Sequence, residues 1–164
     1  MFWKIFAYIF ICGFVIFMVV CLIYNRNVRN KLLDEGKIII RKRGFWDMSE
    51  TFTIRKVTLQ AIYNRISADD MKKYMGQYEL HDGKYILFQH TGVNESFKAT
   101  LRLVSSEDDL NTYRLQVDEY TTNSSYPNEQ SLNVVFTAVE RIFLSYDPNI
   151  QVVTAPIARK TTRG

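Results

Sequence analysis

The sequence predicts an α+β protein: a single N-terminal transmembrane helix followed by a small domain in which helices pack on an antiparallel meander. Three observations carry that expectation. Residues 5–24 run without a single charge, and Gly13 is the only one of them outside the hydrophobic set. Residues 96–104 and 112–120 alternate apolar and polar side chains, the pattern of strands with one buried and one wet face. Residues 132–146 repeat apolar side chains at helical spacing. The chain has 164 residues, of which 23% are charged. That suits one domain with an appendage and speaks against wholesale disorder.

The first element is the apolar run. Twenty helical residues at about 1.5 Å each span roughly 30 Å, the hydrocarbon thickness of a bilayer. A core helix would keep a polar face, which this one lacks. A cleaved signal peptide would have an apolar region of roughly 7–15 residues and a small-residue cleavage site. Leu22-Ile23-Tyr24-Asn25 offers no such site. Residues 1–24 are therefore expected to be a retained membrane anchor, with Phe2, Trp3 and Tyr24 at headgroup level. Both cysteines, Cys12 and Cys21, lie in this run on opposite sides of a helix, so they form no common site.

Residues 25–36 are expected to continue as a basic helical stalk that stops at Gly36. Around the stalk lies a collar of basic residues: Arg26, Arg29, Lys31, Lys37, Arg41, Lys42 and Arg43. Only Lys4 stands on the other side of the apolar run. That asymmetry favours a cytoplasmic C-terminal domain. The net charge of +4 for the whole chain is local: residues 25–56 carry +5 and residues 57–164 carry −2. The collar then reads either as a topology signal alone or as a surface drawn to anionic lipid, at about 1 kcal/mol per residue. Nucleic acid is not an expected partner, because the basic charge does not lie on the folded domain.

The soluble domain is expected over residues 37–155, with a loose basic tail over 156–164. Lys37–Arg43, with three consecutive isoleucines, predicts a first strand, and Gly44–Asp47 a turn. Ile54, Val57, Ala61, Ile62 and Ile66 predict a helix over 54–66. Ser67 is placed to cap a second short helix, with Asp69 and Asp70 in its first turn and Gly76 at its end. Residues 77–81 and 84–90 flank Asp82-Gly83, a strong hairpin signal. The alternating strands 96–104 and 112–120 follow, with Leu103 assigned to the buried face and the Glu107–Asp109 turn between them. Then come a polar loop over 121–130, a helix and a last strand over 150–154. In the helix Leu132, Val135, Phe136, Val139, Phe143 and Tyr146 form the apolar stripe, and Asn133, Thr137, Glu140 and Arg141 lie off it.

The chemistry-bearing residues are sparse. His81 and His90 stand at opposite ends of one predicted strand and cannot share a site by themselves. The domain has no cysteine, which removes thiol catalysis and most zinc sites. Asp69-Asp70, Glu107–Asp109 and Asp118-Glu119 read as a helix start, a turn and opposite strand faces. The expectation is a non-catalytic protein-interaction or assembly module at the membrane, with no cofactor and no metal. Its partners are the lipid bilayer and a protein of unknown identity. The alternative is a membrane-tethered ligand-binding or sensor domain, its pocket lined by Tyr63, Tyr74, Tyr85 and Tyr113. The sequons at Asn94 and Asn123 matter only if the domain is exported to a glycosylating compartment.

Overall fold

One unbroken helix, α1 (Phe2–Asp34), takes up the apolar run and the stalk together. At 33 residues it is about 50 Å long, well beyond a hydrocarbon layer. Its most apolar window has a mean hydropathy of 2.9, none of it is buried, and it is long and apolar enough to cross a membrane. The helix closes with Gly36 at φ +64°, a left-handed stop that a side chain would strain. These features come from a computed structural model of the protein, which describes residues 2–42, 44–69, 74–92, 95–122 and 130–157. The chain divides into two compact units, Met1–Gly36 and Lys37–Gly164.

The second unit is built on a six-stranded antiparallel sheet and two helices. In chain order these are β1 (Met48–Arg55), α2 (Leu59–Ala68), β2 (Gln77–His81), β3 (Tyr85–Thr91), β4 (Glu95–Glu107), β5 (Leu110–Thr122), α3 (Gln130–Tyr146) and β6 (Val152–Pro156). The spatial order is β2-β3-β4-β5-β1-β6. The predicted meander is thus continuous, and the first strand of the chain is inserted between its end and the last strand. The fold class is the expected one, α+β with an N-terminal apolar helix.

Alternation selects the inner face. Phe52 lies opposite Tyr113, Leu101 opposite Leu115, and Phe88 opposite Ala99, and all six are buried. Helix α3 covers them, with the Phe143 ring stacked on Phe52 at 4.4 Å. Nine α3 residues are buried, including Val134, Thr137 and Ala138 outside the expected stripe. The helix is therefore enclosed on more than its sheet side. Phe45, in a single 3-10 turn (Phe45–Asp47), meets Phe136 edge-on at 5.5 Å.

Several boundaries differ from the sequence expectation. Lys37–Lys42 forms no strand; Ile38 is buried, but Ile40 is 81% exposed. The first strand starts eleven residues later, at Met48. Ile54 belongs to β1, and α2 begins at Leu59, where the Thr58 hydroxyl caps it by accepting from Ala61 N at 3.2 Å. The helical spacing counted from Ile54 ran across a strand–helix junction. Ser67 lies in the last turn of α2, and the second short helix expected after it falls on residues 70–73, outside the described residues. Asp70 lies outside the described residues, as do Asn94, the loop over 123–129 and the tail from 158. Leu103 is 41% exposed, because an irregularity between Leu103 and Ser105 turns the end of β4 away from the core.

The Asp82-Gly83 turn is as expected. Both residues have positive φ, +49° and +66°, as a primed hairpin turn requires, and Lys84 N donates to His81 O at 2.8 Å. At the opposite edge of the sheet every residue of β6 is exposed. Ile157 N donates to Asp47 O at 2.8 Å, continuing the β1–β6 ladder one step past Pro156.

Candidate functional site

The densest polar cluster among the described residues lies on the inner side of the sheet, where the segment 37–42 crosses β1 and α3. Its elements meet for a simple reason. Glu50 shares the inward parity of Phe52 and Ile54 on β1, so its carboxylate points into the core and is only 3% exposed. On α3, Asn133, Phe136, Thr137 and Glu140 follow at i, i+3, i+4 and i+7 and form one stripe. That stripe is largely covered by the incoming chain.

Asn133 ties down the backbone of that chain. Its Nδ2 donates to Ile39 O at 2.8 Å, and its Oδ1 accepts from Arg41 Nε at 3.2 Å and from Thr137 Oγ1 at 3.1 Å. The side-chain amide thereby does what a neighbouring strand would do, which is why three isoleucines produce no strand here. The Arg41 guanidinium lies against the rings of Phe45 and Phe136, at 5.6 and 5.2 Å. Its Nη1 meets Glu50 Oε1 at 2.6 Å and its Nη2 lies 2.9 Å from Glu140 Oε2. Burial pushes the Glu50 carboxyl up to about 8; Arg41 pulls it down, and the neighbouring Glu140 carboxylate adds to the rise.

The collar residues fall into different surroundings. Arg26, Arg29 and Lys31 are exposed on α1. Lys37 Nζ lies 5.0 Å from the centre of the Tyr74 ring, and Lys42 is exposed. Arg41 turns inward, its side chain only 10% exposed, because two carboxylates await it there. Arg43 lies outside the described residues.

The other candidates stay apart. His81 stacks on Tyr85 at 4.9 Å, and His90 on Phe97 at 5.6 Å, where burial lowers its pKa. Of the four tyrosines, Tyr63 packs on Tyr78, Tyr74 lies under Lys37, and Tyr85 lies beside His81. Tyr113 is buried; its hydroxyl donates to Val57 O, and burial raises its pKa while Asn111 opposes the rise. Asp118 and Glu119 are taken up by Arg102 at 3.5 Å and Lys98 at 2.9 Å. These pairs border an open groove of about 560 Å³ on the outer face of the sheet, with Tyr85 and Leu87 in its wall. Among the described residues no group of three or more His, Cys, Asp or Glu is arranged to hold a metal ion.

No protein-family model matches the chain, and no curated protein matches it in sequence.

Glu50 was missed from the sequence, although a signal was present. In Glu50-Thr51-Phe52-Thr53-Ile54 a carboxylate occupies the parity of the two apolar residues, and such a residue is either buried with a partner or out of register.

Proposed function

We propose that the chain is a single-pass membrane protein whose domain lies on the cytoplasmic side and serves as a non-catalytic docking or assembly module for a protein partner. The observation that carries this reading is α1, whose apolar side chains are uncovered along the whole span. In water such a surface would drive association, and a bilayer satisfies it without any partner helix. The seven basic residues after the span support the cytoplasmic side. The stalk end of α1 reaches beyond the hydrocarbon, which suits contact with a protein more than with lipid tails. Several of the domain's ionisable groups are paired within the fold: Arg41 with two glutamates, Lys98 with Glu119, and Arg102 with Asp118.

The test is a reporter fused after Gly164, read on both sides of the membrane, with alkaline extraction of the same membranes. The expected result is a chain that resists extraction and a reporter active on the cytoplasmic side. Release by alkali removes the anchor, and a reporter active outside removes the orientation. Cross-linking in intact membranes then checks the docking role. A specific protein bound through the domain is expected, and recovery of the bare chain alone contradicts the proposal.

A further inference from the structure

Two carboxylates share one guanidinium inside the fold, and fully ionised their charges do not balance. Arg41 contributes one positive charge, while Glu50 and Glu140 together would contribute two negative ones. An uncompensated buried charge is costly, and one proton held by Glu50 restores neutrality. Glu50 Oε2 is the position open to it. Glu50 Oε1 accepts from Arg41 Nη1 at 2.6 Å, but Oε2 is buried and no donor reaches it. As a bare carboxylate oxygen it would be an unmet acceptor. As a hydroxyl it becomes a donor, with the adjoining Glu140 carboxylate as acceptor.

Among the described residues the surroundings add no other charge. Thr154 of β6 and Leu115 of β5 lie opposite Glu50 in the sheet, and Asn133 and Thr137 approach from α3. Among the described residues the ionisable groups that meet Glu50 are Arg41, from the 37–42 segment, and Glu140, from α3. The segment itself is held by side chains: the Asn133 amide, the Arg41 ion pairs and the buried Ile38. No strand pairing secures it.

We infer that Glu50 holds a proton beside Glu140 and, with Arg41, forms a proton-operated latch on residues 37–42, the segment that follows the stalk in the chain. With the proton in place the cluster is neutral and the segment stays docked. When the proton leaves to solvent, two anions face one cation, and the Glu50 carboxylate is left charged in the core. The least costly relief is to hydrate Glu50 by lifting the segment that covers it, since β1 and α3 are both locked into the core. The carboxyl's rise to about 8 puts the release in mildly alkaline solution. This latch does not depend on the docking role or on the orientation proposed above.

The test is hydrogen–deuterium exchange of the full chain in lipid nanodiscs at about pH 6 and about pH 9.5, with exchange times scaled for the intrinsic rate. The expected result is that backbone protection over 37–42 falls about tenfold at the higher pH, while that of β4 holds. Glu50→Gln keeps the shape and cannot lose a proton, so protection should be equal at both pH values. Glu140→Gln removes the surplus charge and should also flatten the response. Infrared spectra of the unaltered chain guard against a variant that fails to fold. A protonated-acid carbonyl band should be present at the lower pH and vanish at the higher. Protection that ignores pH, a Glu50→Gln chain that still loosens, or the absence of a titrating acid band would each overturn the latch.

Discussion

At Arg41 a guanidinium lies beside a pair of phenyl rings with a carboxylate at each end of its fork. Removing it leaves two buried acids without a cation, so Arg41→Ala should destabilise the domain by about 3–5 kcal/mol in a denaturant titration. Lysine should not substitute, because a single ammonium cannot reach both carboxylates and Asn133 at once. Glu50 also gives stability a direction with pH. Its folded pKa of about 8 lies above the ordinary 4.5, so between those values the folded chain holds a proton that the unfolded chain has lost. Stability is then greatest near and below pH 4.5, as far as this group is concerned, and declines as pH rises towards 8. Thermal melts across that window should show the decline, and Glu50→Gln should remove it.

At the scale of elements, two glycines separate conformational strain from crowding. Gly83, in the β2–β3 turn, has φ +66° and open space where a Cβ would stand. Gly76 has φ +78°, and a Cβ there would lie 2.6 Å from Gln89 O. Gly83→Ala should therefore cost about 1 kcal/mol, the left-handed penalty alone. Gly76→Ala should cost clearly more, because a backbone carbonyl cannot swing aside as a side chain can. Equal losses for the two in parallel melts would contradict this account. The same elements show what local sequence can reveal. Asp82-Gly83 and the alternation of 96–104 and 112–120 were readable because their signal lies within each segment. The 37–43 segment misled because β propensity describes a pleated, half-buried surface, not the presence of a neighbour to pair with. Here Asn133, 94 residues away from Ile39, occupies the pairing position. The site was half legible. Glu50 broke the parity of its own strand, but Glu140 and Asn133 looked like an ordinary polar face of α3. Only the tertiary fold shows that the stripe is covered.

On the scale of the whole molecule, charge and hydrophobicity lie in sequence blocks, and orientation should follow from them. Arg26, Arg29 and Lys31 are exposed on α1, outside the unit that holds the sheet, so they can be changed without disturbing its core. Replacing the three with glutamine, and adding lysines beside Lys4, should move a reporter fused after Gly164 towards the opposite side of the membrane. An unchanged distribution would mean that the collar is not what orients the chain. Arg41 should be left out of such a series, since its loss would be read as misfolding.

The free edge of β6 bears on how such chains coexist. Hydrogen-bonding positions alternate along an antiparallel ladder, and Ile157 points its N–H towards β1. Pro156, one step back, therefore faces outward, at a place where any other residue would offer a donor. If the chain is tethered as proposed, its copies move in two dimensions, where collisions between like edges are frequent and orientations are already aligned. Under that confinement a proline at the rim interrupts the row of donors that a neighbouring copy would need. The sheet can then be crowded at a surface without zipping to its own kind, while carbonyl acceptors stay available on the same rim.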